Sequence, residues 1–276
     1  WLMPDVMKPL VTYTRSNLFH LLAGGVRGLS YFSYRSRTAE AWSEIKQQSP
    51  VIHRVGPVQA RIKPKGRRVA MVHSVTTDVY QTPNWLLLPY AYANLIQAHY
   101  DVDVIAEEEI LDGMADDYEA ILLYRVLYLR KSVYDALARY AENGGTVLLD
   151  RTVPFDIPGA ERLDVDLGMG DEKSEGVPPE GAHVATPGPP DYGHDERIQT
   201  VADALAPHVE PLIRCPDNTL LAHPFRYDGV TYIWFVNSMS GKEYRFCWER
   251  WMKDRSADAK QEVREWDRKI LEQEPV

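Results

Sequence analysis

Four short apolar runs stand in the middle of the chain, separated by segments with helical spacing. Val69-Ala70-Met71-Val72 follows a basic lead-in, and Val102-Asp103-Val104-Ile105 is the second run. Ala120-Ile121-Leu122-Leu123-Tyr124 is the third and Thr146-Val147-Leu148-Leu149-Asp150 the fourth. Trp85 to His99 and Ser132 to Asn143 carry apolar residues at helical spacing, and Gly144-Gly145 closes the second of these helices. A strand exposed on one face alternates apolar and polar residues, whereas a strand covered on both faces reads as a continuous apolar run. Runs of the second kind alternating with helices predict a parallel sheet with helices on both sides. The expected unit is a doubly wound α/β domain over residues 66–206, closed by a helix from Glu196 to Leu205.

The flanks read differently. Tyr13 to Ala23 has helical spacing, with Leu18, Leu21 and Leu22 on one side and Gly24-Gly25 as a stop signal. Val26 to Tyr34 reads as a strand and Thr38 to Gln47 as a second helix. A helix, a strand and a helix cannot enclose a core, so residues 1–60 need neighbours. They are either a decoration on the central domain or the last elements of a barrel whose earlier strands lie upstream. Ile52 to Lys65, with Gly56-Pro57 and Pro64, reads as a connector. Arg151 to Glu196 is rich in Pro, Gly and acids and reads as one long irregular excursion. Within it, Asp164-Val165-Asp166 lacks the spacing of a calcium loop and is expected to be solvated.

Beyond Leu205 the period shortens. Leu212 to Cys215, Thr219 to Tyr227 and Val230 to Asn237 are strand candidates. Asp228-Gly229 between the last two is a hairpin signal of type I′. Lys253 to Glu274 is charged and helix-prone, with Val263, Trp266 and Ile270 at helical spacing. Residues 207–276 are therefore expected to form a partial β-sandwich with a C-terminal helix.

Composition narrows the chemistry. The 276 residues carry a formal net charge of −9, which disfavours nucleic acid as a partner. No apolar run is long enough for a membrane helix. The two cysteines, Cys215 and Cys247, make neither a disulfide framework nor a metal-ligand cluster. No glycine-rich phosphate loop follows the first strand, where His73-Ser74-Val75-Thr76-Thr77-Asp78 stands. No cofactor and no metal are expected, and His73 is expected to be a hydrogen-bonded structural residue.

Leu21-Leu22-Ala23-Gly24-Gly25-Val26-Arg27-Gly28-Leu29-Ser30-Tyr31-Phe32-Ser33-Tyr34-Arg35 resembles the passage from the seventh helix to the eighth strand of glycoside hydrolase (β/α)8 barrels. It is similar in particular to the β-galactosidase-like enzymes related to family 42. The helix containing Ala41-Trp42-Ser43-Glu44-Ile45 fits the same pattern. In that family the barrel is followed by a flavodoxin-like domain related to class I glutamine amidotransferases, then by a β-sandwich. The resemblance therefore implies the end of a barrel over 1–60, an amidotransferase-like domain over 66–206, and an incomplete antiparallel β domain after it. It makes the chain, which opens on Trp1, the C-terminal part of a longer enzyme.

The resemblance also implies which residues would serve the site. Sites of such barrels gather at the C-terminal ends of the strands. Tyr34, Arg35 and Ser36 would stand there, with Tyr31 nearer the barrel interior, and would contact a carbohydrate substrate. Arg35 is alternatively a rim residue pairing with a carboxylate. The two catalytic carboxylic acids belong to the fourth and seventh strands, upstream of Trp1, so none is assigned here. A working amidotransferase needs a Cys nucleophile in the turn after its central strand. That turn reads Arg125-Val126-Leu127, so amidotransferase activity is not expected. In the family this domain is non-catalytic and contributes to oligomer contacts, which implies a homo-oligomer, such as a trimer. Aromatics among Tyr80, Trp85, Tyr90 and Tyr92 would serve such an interface or cover a neighbouring domain. Trp234, Trp248 and Trp251 are either core residues of the β domain or a sugar-binding set. The alternative from another class is a non-enzymatic interaction or carbohydrate-binding module built on a flavodoxin-like core.

Overall fold

The computed structural model describes residues 11–26, 39–64, 69–80, 84–168, 195–211, 213–215, 217, 220–237 and 256–273. In chain order the first elements are α1 (Val11–Ala23), α2 (Ala39–Gln59), β1 (Lys63–Pro64), β2 (Val69–His73), α3 (Val75–Tyr80) and α4 (Asn84–Gln97). Then come β3 (Val102–Ala106), α5 (Glu107–Leu111), a 3-10 turn (Met114–Asp117), β4 (Ala120–Leu123), α6 (Lys131–Glu142) and β5 (Thr146–Leu149). The last are β6 (Glu161–Arg162), α7 (Asp195–Leu205), β7 (Leu220–Tyr227), β8 (Val230–Asn237) and α8 (Ala257–Gln273). They form two compact units, Gly66–Leu221 and Trp1–Lys65 with Ala222–Val276.

The unit 66–221 is a doubly wound α/β fold. Its sheet runs β3-β2-β4-β5-β6, with every neighbouring pair parallel. Counted along the chain, the order is second, first, third, fourth, fifth, which is the flavodoxin-like winding. Strand residues alternate between two cores. Val69, Met71, Val102, Ala120, Leu122 and Leu148 face Leu88, Ala91 and Leu95 of α4 and Ile198, Val201 and Leu205 of α7. Ala70, Val72, Ile105, Ile121, Leu123, Val147 and Leu149 face Ile110 of α5 and Val133, Leu137 and Tyr140 of α6. Burial on both faces is why β2 and β4 read as unbroken apolar runs. Helix α7 closes the first layer as expected.

Helix ends follow from backbone accounting. At the end of α4, Tyr100 N–H donates to Leu95 O and His99 N–H to Ile96 O. This six-to-one and five-to-two pattern needs a left-handed residue at the exit, and His99 takes it at φ 65°. A non-glycine residue is uncommon there. The His99 Nε2–Leu220 O hydrogen bond of 3.0 Å holds the imidazole in place.

Two expectations for the central unit change. Residues 151–168 are not wholly irregular, because Glu161–Arg162 joins the sheet beside β5. Such a strand carries no apolar signal: it is two residues long, polar and exposed at the sheet edge. Nor is all of Asp164-Val165-Asp166 solvated, since Asp166 is buried. The remainder of the excursion, residues 169–194, lies outside the described residues.

In the other unit, α1 and α2 are joined by a partly buried ion pair. Arg15 Nε lies 2.6 Å from Glu44 Oε1, and Gln48 Nε2 donates to the same oxygen at 2.8 Å. Gln59 Nε2 donates to Leu22 O at 2.6 Å. Helix α2 overturns the expected connector, since it continues to Gln59 through Pro50 and Pro57. A proline deprives the carbonyl four residues earlier of its donor. Here those carbonyls belong to Lys46 and His53, and Lys46, Pro50, His53 and Pro57 form one exposed stripe. Water can therefore take the place of the missing donors. Strands β1, β7 and β8 form a small antiparallel sheet in that order. Asp228 and Gly229 turn the hairpin at φ 50° and 74°, as type I′ geometry requires. Residues 213–215, expected in a strand, are outside any strand, and the strand expected at Val26 to Tyr34 lies outside the described residues beyond Val26.

Candidate functional site

Open parallel sheets bind ligands outside the C-terminal ends of their strands, where the strand order reverses. In this chain that point lies between β2 and β4. The loops there are Ser74 onward and Tyr124 onward, with the start of α5 alongside.

Glu107, the first residue of α5, is fully buried at this edge. Its Oε1 accepts hydrogen bonds from Ser74 Oγ (2.8 Å) and Thr76 N–H (3.1 Å). Its Oε2 accepts from Thr76 Oγ1 (2.9 Å) and Arg130 Nε (2.7 Å). Burial pushes this carboxyl up, but the bonds from Ser74, Arg130 and Thr76 outweigh it and leave the carboxyl below its ordinary value. The other arm of Arg130 reaches Glu108 Oε1 at 2.8 Å. Glu109 Oε2 accepts from Ala106 N–H at 2.7 Å and caps the start of the helix.

The two loops are also tied to each other. Ser74 Oγ lies 2.9 Å from Tyr128 O, and Thr77 Oγ1 donates to the same carbonyl at 2.9 Å. Thr77 Oγ1 accepts from Leu127 N–H and Tyr128 N–H, each at 3.1 Å. The donors that a phosphate or carboxylate ligand would use at this reversal point are thus bonded within the protein. His73 ends β2 with Nε2 2.7 Å from Asp78 Oδ2, in keeping with a structural role. The rings of Tyr80 and Tyr128 meet at 5.7 Å on the outside of this loop cluster, with Tyr80 largely exposed.

A second polar cluster lies beyond β4 and β5. Arg125 takes φ 51°, a left-handed conformation in the turn after β4. Five further residues separate it from α6, so the turn does not lead straight into a helix. Its Nη2 lies 2.9 Å from Asp166 Oδ2, and its Nε donates to Tyr124 Oη at 3.1 Å. Gly168 N–H donates to Asp166 Oδ1 at 3.0 Å, and Arg197 Nη2 donates to Asp166 O at 2.7 Å. Burial raises the Tyr124 phenol far above its ordinary range, with the Asp166 charge adding to the rise. Asp150 is buried next to this group. It accepts from Thr152 N–H (2.8 Å), the Thr152 hydroxyl and Leu167 N–H (2.7 Å). Burial nevertheless raises its carboxyl to about 6, with Asp166 adding to the rise.

The residues expected at a sugar site, Tyr31, Tyr34, Arg35 and Ser36, lie outside the described residues, as do Cys247, Trp248 and Trp251. Cys215 is a free thiol. Trp234 is half-buried, and its Nε1 donates to Gln59 Oε1 at 3.2 Å, which makes it part of the packing of its own unit. Tyr90 and Tyr92 are partly covered, and burial raises both phenols to about 12. Among the described residues, no three or more of His, Cys, Asp and Glu are grouped to hold a metal ion. No described helix is long and apolar enough to cross a membrane. Sequence reasoning passed over Glu107 and Asp150. A signal for Asp150 was present, in an acid closing an otherwise apolar strand run; Glu107 sits within Glu107-Glu108-Glu109 and looks like an exposed helix start.

Comparison with known protein families gives no match, and comparison with curated proteins gives none. Among solved structures, the chain is similar to the apo exo-carrageenase GH42 from Bacteroides ovatus, with 10% identity and a TM-score of 0.49. That match covers 82% of this chain and 31% of the carrageenase. It is also similar to the β-galactosidase from Bacillus circulans sp. alkalophilus, with 12% identity and a TM-score of 0.46, covering 72% of this chain and 39% of the other. The chain thus spans well under half the length of either protein.

Proposed function

We propose that the chain is the C-terminal part of a glycoside hydrolase of the β-galactosidase-like, family-42-related kind. In this reading residues 1–60 complete a (β/α)8 barrel whose catalytic acids lie upstream. Tyr31, Tyr34, Arg35 and Ser36 contribute to the carbohydrate site. The unit 66–221 is a non-catalytic, amidotransferase-like domain that serves assembly, including a homo-oligomer.

The observation that carries the non-catalytic part is the closed edge of the sheet. Ser74, Thr76, Thr77 and Arg130 bond Glu107 and Tyr128 rather than facing an open crevice. At the turn that would hold a cysteine nucleophile, Arg125 is bound to Asp166. The likeness of residues 21–35 to a barrel's closing passage supports the hydrolase part, as does the order of elements after it. The test is hydrolysis of aryl β-galactosides by two proteins: the 276-residue chain, and the same chain extended by the residues that precede Trp1 in its natural source. Activity is expected only in the extended protein. Turnover by the shorter chain that is abolished by changing one of its own carboxylates would overturn the proposal.

A further inference from the structure

The Glu107 carboxylate is bound as a ligand is bound. It has two oxygens with about four acceptor positions between them. Four donors fill these positions: Ser74 Oγ, Thr76 N–H, Thr76 Oγ1 and Arg130 Nε, all at 2.7–3.1 Å. They come from Ser74 and the first turn of α3 and from the loop before α6, and neither segment is adjacent to Glu107 in sequence. The carboxylate is wholly removed from water. The place is also the edge at which doubly wound folds hold ligands. A cradle with one guanidinium, two hydroxyls and one backbone N–H suits a planar monoanion in size and charge.

We propose that Ser74, Thr76 and Arg130 form a carboxylate-binding cradle for which Glu107 is the resident ligand, and that a free small carboxylate such as formate takes its place when that side chain is withdrawn. The crevice is then a working anion site kept occupied from within, not a crevice that lost its donors. The inference stands on this geometry alone and does not depend on the glycosidase reading.

The experiment compares the full chain with its Glu107→Ala and Glu107→Gln variants in sodium formate and in sodium chloride at equal ionic strength. Removal of the carboxylate opens space for formate in the alanine variant. In the glutamine variant the amide still fills that space. An anion present at about thirty times its Kd shifts the folding constant about thirtyfold, which is a rise in Tm of about 4–8 °C. The alanine variant should show that rise saturably, while the wild type and the glutamine variant show only the small change common to any salt. If the alanine variant does not stay folded in chloride, its refolding yield from denaturant becomes the readout, and formate should restore it. A formate effect no larger than in the wild type overturns the proposal, and so does failure to refold in either salt.

Discussion

Asp150 offers a test in which the sign of a pH effect decides. Its carboxyl stands just past β5, buried, and meets only neutral donors: Thr152 N–H, the Thr152 hydroxyl and Leu167 N–H. The Asp166 carboxylate repels it, and Asp166 is itself bonded to Arg125 and Arg197. Burial raises the carboxyl from an ordinary 3.8 to about 6. Each unit is worth about 1.4 kcal/mol, so ionising Asp150 in the folded state costs about 3 kcal/mol relative to ionising it in the unfolded chain. A group whose folded value is raised favours the fold fully below its unfolded value and loses that contribution as pH rises through its folded value. The loss therefore runs from about pH 4 to just above pH 6. In Asp150→Asn the loss vanishes. The amide must also turn a donor toward Leu167 N–H or leave it unmatched, at about 1–3 kcal/mol. The two effects nearly cancel at neutral pH, so a single stability value decides nothing. The diagnostic quantity is the difference between the two proteins as pH varies. Hydrogen exchange of the β4 and β5 amides, corrected for the intrinsic pH dependence, reports the opening free energy of this unit. The asparagine protein should gain about 3 kcal/mol on the wild type between about pH 4 and pH 7. Parallel profiles would refute the reasoning, because they would mean that the buried carboxyl titrates alike in both states.

Two further predictions concern the same edge of the sheet. Gly168→Ala puts a Cβ 2.1 Å from the Tyr124 hydroxyl oxygen, 2.5 Å from its Cζ and 3.1 Å from Ala91 N. Tyr124 is fully buried and cannot swing aside, so overpacking should cost about 1–3 kcal/mol, read as a lower Tm by calorimetry. Arg125→Met leaves the buried Asp166 carboxylate without its closest cation and should cost about 3–5 kcal/mol, while Arg125→Met with Asp166→Asn should recover much of that loss in a double-mutant cycle read by urea unfolding.

The parts of the fold legible in the sequence were those whose signal is local. Strands β2, β4 and β5 lie between two apolar layers and read as apolar runs, whereas β3 at the sheet edge carries Asp103 and the exposed Val104. The hairpin turn was legible because Asp228 and Gly229 both tolerate positive φ. Gly56-Pro57 does not end helix α2, because a proline's local effect depends on where the freed carbonyl points. With Lys46 and His53 toward solvent, the helix continues. Strand β6 had nothing to show, being two polar residues at an edge. The candidate site was the least legible part. Glu107 takes its partners from residues 31 to 33 positions earlier and 23 later, and no pattern along the chain links them.

Glu107 and Asp150 make the physical point together. Both are wholly buried carboxylates at the C-terminal edge of one sheet, and both accept bonds from neighbouring hydroxyls and backbone N–H groups. Their acidities nevertheless move in opposite directions. At Asp150 burial outweighs the hydrogen bonds, whereas at Glu107 the bonds from Ser74, Arg130 and Thr76 outweigh burial. Arg130 donates directly to Glu107, whereas Asp150 accepts only from neutral groups and is repelled by the carboxylate of Asp166. Glu107 therefore adds stability above its unfolded value and loses it only as pH falls through a still lower folded value, while Asp150 works against the fold from about pH 4 upward. The ionised Glu107 joins two segments of the edge, Ser74–Thr76 and Arg130, to the start of α5 at neutral pH, and the cost of ionising Asp150 falls beyond β5. Protonation in mild acid relieves the second without releasing the first, so the closed state of the edge should hold down to pH values at which Asp150 is already neutral.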